Sequence, residues 1–353
     1  MSGGVSGYAS INARVRVMYS TLLSSQAYGE LCETSDEDAL ITALKHTGYG
    51  PYLEKVKDKS LSPRRAVFQM KQRLAEAYGS VVNSSPQDAR PLLAQLFRHF
   101  EVDNLKAVLR GIVSGASWDR IRFILFPMPG SALPAQAMVE SGNVTAAVEL
   151  LRGTPYYEPL SFAMKRYSTE QSLFPLEVAL DLSYWRALWS MMNRLTGQDK
   201  SQAKRIVGSL VDMNNLMWAI RYRIYHHVSE EELINYTLPF GYRVRDEDIR
   251  AIAAGADIAQ IVERIWPDIT GVSDMMHNPH EGLPQLEHEL QRHLAHACQA
   301  AFVGNPFHVG IPLAYVMLSE MEIQDLTVLL EAKATSKLPA EFKSYLVLGG
   351  ETQ

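Results

Sequence analysis

The sequence predicts an all-α chain of three similar helical subdomains in a pseudo-threefold arrangement. Apolar residues recur at steps of three and four along most of its length, persistent period-two alternation is missing, and one motif returns twice at nearly equal offsets. The 353 residues are ample for a large core, and 47% apolar with 21% charged residues is a globular composition.

The elements follow in order. From Ile11 to Leu23 the apolar positions 11, 15, 18 and 22 share one helix face, with Arg14 and Arg16 beside it. Asp36-Glu37-Asp38 opens a second, short helix, because carboxylates favour the positive end of the helix dipole, and Gly48 with Pro51 closes it. Pro63 starts a long helix, where its missing N–H is harmless because first-turn donors have no helical partner. A further long helix is predicted after Pro91, over LLAQLFRHFEVDNLKAVLRGIVSG. The segments PLEVALDLSYWRALWSMMNRL, SQAKRIVGSLVDMNNLMWAIRYRIYHH and GLPQLEHELQRHLAHACQAAF carry the same helical pattern.

The repeat is the sharper signal. VDNLKAVLR at 102–110 aligns with MNNLMWAIR at 213–221, an offset of 111, and with IQDLTVLLE at 323–331, a further 110. SWDRIRFILFPMPG, SEEELINYTLPFG and LPAEFKSYLVLGG follow the three copies. A second unit, DEDALITALKHTGY at 36–49, matches NVTAAVELLRGTPY at 143–156 through Ala39, Leu44, Thr47 and Tyr49 against Ala146, Leu151, Thr154 and Tyr156, with 255–269 a looser third form. A period this long exceeds the roughly 20–50 residues of solenoid repeats, so one closed body is expected rather than a rod. The expected units centre on 90–160, 201–270 and 305–350 within a single body of residues 1–353, with the N-terminal helices joining the C-terminal unit. Asn104 and Asn215 repeat, with Asp325 their third counterpart. Asparagine has modest helix propensity, so its return within a helix implies a structural hydrogen bond or close packing.

Composition and motifs narrow the function. A net charge of −5 shows no general attraction to nucleic acid. Cys32 and Cys298 fit neither a disulfide framework nor a cysteine zinc site, which suggests a reducing compartment. The first residues lack the apolar core of a secretory signal, and the best apolar run, 123–139, is broken by Pro127, Pro129 and Pro134, so membrane association is expected to be peripheral. Neither a GxxxxGK[ST] phosphate loop nor a GxSxG elbow is present, and no catalytic, cofactor or metal residue is assigned. Glu289, His293 and His296 could share a helix face with His288 nearby, but Arg292 stands where an HExxH zinc motif needs its second histidine. His226-His227 reads as an ordinary helix end, and Tyr184, Trp185, Trp189 and Trp218 as core. Arg14 and Arg16 are candidates for contact with an acidic partner. Residues 281–331 hold seven acidic side chains against Arg292 alone, whereas residues 10–29 hold no acid, a separation that would orient the body between partners.

The ordered set YASINARVRV (8–17), LITALKHTGY (40–49), VDNLKAVLR (102–110), VDMNNLMWAIRYR (211–223) and NPFHVGIPLAYVMLSEMEIQDLTVLLEAK (305–333) resembles the C subunit of the prokaryotic A/V-type ATP synthase and ATPase family, related to the d subunit of eukaryotic V-ATPases. The resemblance implies a funnel of three related subdomains, present once per rotary complex. It would receive the central stalk and rest on the cytoplasmic side of the membrane proteolipid ring. It further implies a non-catalytic coupler in a proton- or sodium-translocating machine, without cofactor. Glu331 departs from the repeated Arg110 and Arg221. The residues alone also admit an all-α hydrolase with an unrecognised active site, or a helical adaptor unrelated to rotary pumps.

Overall fold

The structure, a computed structural model, describes residues 5–55, 61–128, 130–226 and 228–350, and among them every regular element is helical. His227 and the side chain of His226 lie outside the described residues.

The first helix, Val5–Tyr19, buries Tyr8, Ile11 and Val15 on the face that the spacing predicts. Asp36 caps Glu37–Leu44 by accepting the Ala39 N–H at 2.9 Å. Pro63 opens Pro63–Ser84, which buries Ala66, Met70, Leu74, Tyr78 and Val81. The run after Pro91 is two helices rather than one, Arg90–Phe97 and His99–Val113. The first packs between 63–84 and Phe174–Arg194, whereas the second also covers Ala135–Glu140 and Val144–Glu149. A single straight axis could not serve both sets of neighbours, and the chain bends at Arg98. Gly197–Arg221 runs on into a π-helical turn, Tyr222–His226.

The long helices close a ring. Helix 63–84 packs on 90–97, that on 174–194, that on 197–221, and 197–221 on both Pro279–Ala300 and Gly310–Ala334. Helix 310–334 returns to 63–84 and completes the circuit. It is apolar around nearly its whole circumference because neighbours surround it, and its open stripe runs through Glu320, Gln324, Thr327, Val328 and Glu331.

Chain ends meet on this last helix. Helices 5–19 and 37–44 pack against 310–334. The Lys333 ammonium donates to the Cys32 and Thr34 carbonyls at 2.7 and 2.6 Å, neutralising the negative end of helix Ser25–Cys32. Asn12 donates to the Pro306 carbonyl. The acidic and basic segments therefore lie against each other instead of on opposed faces, and Glu322 and Asp325 are buried. Cys32 and Cys298 are buried free thiols. Among the described residues no helix is long and apolar enough to cross a membrane.

Candidate docking cavity

Each copy of the repeated motif holds one polar side chain that grips the chain beyond the following short helix. Asn104 donates to the Phe126 carbonyl at 2.9 Å and accepts the Phe126 N–H at 2.7 Å. Asn215 repeats this on Leu238, both bonds at 2.8 Å. Asp325 has no donor to offer and takes N–H groups only, from Val347 and Leu348 at 2.7 Å and from Gly349 at 3.0 Å. The gripped segments lie outside helices, so their buried backbone groups need side-chain partners. Glycine is required at 349, because a Cβ there would lie 2.4 Å from the Tyr28 ring.

Three residues before each clamp stands an acid, a regularity that reading for asparagine alone passes over. Glu101 accepts the Tyr156 hydroxyl, and Glu322 accepts the Tyr49 hydroxyl at 2.6 Å. These two tyrosines are matched partners in the second repeated unit, and each follows by two residues a threonine whose hydroxyl donates to the carbonyl three residues before it at 2.7 Å. In the middle copy the shorter Asp212 holds the Tyr242 and Arg243 N–H groups at 2.7 and 2.6 Å, and the 255–269 segment supplies no equivalent tyrosine. Arg110 and Arg221 each brace a neighbouring helix through Glu177 and Glu287 at 2.6 Å. Glu331 replaces that brace with an exposed carboxylate.

Five residues before the clamps lie His99, Leu210 and Glu320, and all three line a central cavity of about 630 Å³. That is roughly the volume of one turn of an α-helix with its side chains. The walls come from helices 63–84, 90–97, 99–113, 174–194, 197–221, 279–300 and 310–334 and from Ile124 and Phe126 beyond the first copy's short helix. They are largely apolar: Phe100 stacks on Phe126 with centroids 3.6 Å apart, and Trp185, Met213, Met317 and Met321 continue the surface. The first clamp thus fixes the backbone of a cavity residue, and Trp185 is a lining group rather than pure core. Methionine adapts its shape readily, so these walls can conform to what fills the cavity. Gln291 and Gln324 add neutral polar groups.

Arg14 and Arg16 lie away from this lining. Arg14 donates to Ser84 Oγ at 2.8 Å, and Arg16 to the Phe302 carbonyl at 3.1 Å, while both stay exposed. The 288–296 histidine cluster is dispersed by other pairings: Glu289 binds Arg292 at 2.6 Å and His293 binds Asp268 at 2.9 Å. Among the described residues no group of three or more His, Cys, Asp or Glu could hold a metal ion.

Comparison with known proteins finds relatives along nearly the whole chain. The family model for the ATP synthase (C/AC39) subunit matches residues 11–343. The chain is similar to the C subunit of the A-type ATP synthase of Methanocaldococcus jannaschii, 23% identical over 96% of this chain and 86% of that protein. It is similar also to the C subunit of the A-type ATP synthase of Methanosphaera stadtmanae, 22% identical over 96% and 88%. The corresponding protein of Methanococcoides burtonii is 22% identical over 98% and 96%.

Proposed function

Because the chain belongs to the ATP synthase (C/AC39) subunit family, we propose that it is the non-catalytic component that couples the central stalk of a rotary ATP synthase or ATPase to the membrane rotor ring. The observation that carries the reading is the central cavity, ringed by the long helices and sized for a helix end. A coupler must transmit torque without deforming. Helices with internal hydrogen bonds, locked to their loops by buried polar clamps, resist such deformation. The three clamps support a division into units centred on 90–160, 201–270 and 305–350, and the polar contacts of Lys333 and Glu322 support completion of the last unit by the N-terminal helices.

In this reading the stalk end seats in the cavity and another face rests on the cytoplasmic side of the proteolipid ring, one copy per complex. The ion is a proton or sodium ion. Arg14 and Arg16 keep guanidinium donors toward solvent and are the proposed contacts for acidic groups of a partner. No nucleotide is turned over by this chain; the catalytic head does that.

Reconstitution tests the proposal. Complexes lacking the chain are expected to hydrolyse ATP at the head while ATP-driven ion pumping falls to background, and adding the purified chain restores pumping. Normal coupled pumping in its verified absence would overturn the reading.

A further inference from the structure

At the level five residues before each clamp, the repeat brings three side chains toward one axis, and their chemistry differs between copies: His99, Leu210 and Glu320. Glu320 Oε1 accepts the Tyr78 hydroxyl. Its Oε2 faces His99 Nε2 at 3.6 Å, beyond hydrogen-bond range. His99 Nδ1 lies 2.8 Å from the Leu96 carbonyl. A carbonyl only accepts, so Nδ1 carries the proton, and in the neutral ring Nε2 presents a lone pair. With the ring neutral and the carboxylate ionised, two acceptors face each other in the cavity with no donor between them, and both side chains are partly accessible, at 24% for His99 and 12% for Glu320. One N–H donor group can stand about 2.8–3.0 Å from each across that gap.

Water can serve this need while the cavity is wet. Once a helix end expels the water, a cationic donor on the incoming chain satisfies both acceptors and offsets the Glu320 charge in an apolar surround. Lys71, the ammonium in the lining, is not ion-paired with Glu320 among the described residues. Resting on the docking role given above, we propose that Glu320 and His99 form the anchoring slot for a lysine or arginine side chain at the tip of the helix seated in the cavity. The pair then determines which helix end fits and in what orientation, since of the three equivalent positions 99, 210 and 320 only the last carries an acid.

The discriminating variant is Glu320→Gln in the full chain. Its amide keeps the Tyr78 bond and can itself donate to His99 Nε2, filling the slot from within, so the fold is retained. Binding of the central-stalk protein from the same rotary complex is measured by calorimetry at two salt concentrations, with Gln324→Trp as a variant that fills the cavity. We expect Glu320→Gln to unfold at the wild-type urea concentration or above, yet to bind the stalk protein about thirtyfold or more weakly and with less salt dependence. Wild-type affinity and salt dependence in Glu320→Gln, with binding lost in Gln324→Trp, would overturn the slot while leaving the cavity as the docking site. Unchanged binding in Gln324→Trp would overturn the cavity reading, and the slot with it. A fall in stability without a fall in affinity would make Glu320 a structural residue and also overturn the proposal.

Discussion

Replacing Glu322 by alanine is expected to destabilise the protein by about 3–5 kcal/mol, the cost of breaking a buried charge pair from one side. Glu322 is fully buried and holds three groups from the N-terminal part of the chain: the Tyr49 hydroxyl and Leu23 N–H at 2.6 Å, and the Arg73 guanidinium at 3.4 Å. Burial pushes its carboxyl above the usual range, and these three contacts oppose that push. Without the carboxylate, Arg73 keeps Thr21 Oγ1 at 2.7 Å and the face of the Tyr49 ring, but its charge is left without a counterion. Equilibrium urea unfolding should show the loss, and hydrogen exchange should show faster opening of residues 37–53 than of the 174–221 region. A change below about 1 kcal/mol would mean that the chain ends are held together by apolar packing alone.

Exchanging the clamp chemistries should be nearly as damaging although side-chain size hardly changes. Asp325→Asn turns an NH₂ group toward at least one of three backbone N–H donors and is expected to cost about 2–3 kcal/mol. Asn215→Asp sets a carboxylate against the Leu238 carbonyl at a fully buried site, with an expected cost of about 3 kcal/mol at neutral pH. Its titration has a definite sign. Burial and the facing carbonyl raise the folded pKa of the introduced acid above the roughly 3.9 of an unfolded aspartate, so folding takes up a proton between those values. The deficit should therefore shrink as the pH falls toward about 4, where the protonated acid can donate to Leu238 as asparagine does. Asn104→Ala and Asn215→Ala, which only remove bonds, should each cost about 1–3 kcal/mol without that pH dependence. Urea unfolding at about pH 7 and about pH 4.5, each variant against wild type, separates these behaviours; an Asn215→Asp deficit that grows on acidification would contradict the assigned bonds.

How much of this was legible in the sequence follows from what a repeat encodes. Helix positions and the all-α class were readable because apolar spacing reports a buried stripe directly, as at Ile11 and Val15. Asn104, Asn215 and Asp325 stood out because the same polar group returned within helices, and each makes the same kind of long-range grip. The acids Glu101, Asp212 and Glu322 repeat just as regularly, yet acids are common on helix surfaces and nothing local marks Asp212 and Glu322 as buried or Glu101 as the partner of Tyr156. The break at Arg98 was hidden because the apolar pattern runs through it and neighbouring helices decide the bend. The cavity was harder still. His99, Leu210 and Glu320 occupy one register, but their residue types share nothing, and only closure of the ring brings His99 and Glu320 face to face.

The docking claim meets its most direct test in a cryo-EM map of the assembled rotary complex at side-chain resolution. The expected map shows the end of a stalk helix inside the cavity, against Phe126, Met213 and Met317, with a lysine or arginine between His99 and Glu320. A cavity without protein density, in a complex whose stalk contacts this chain elsewhere, would contradict it.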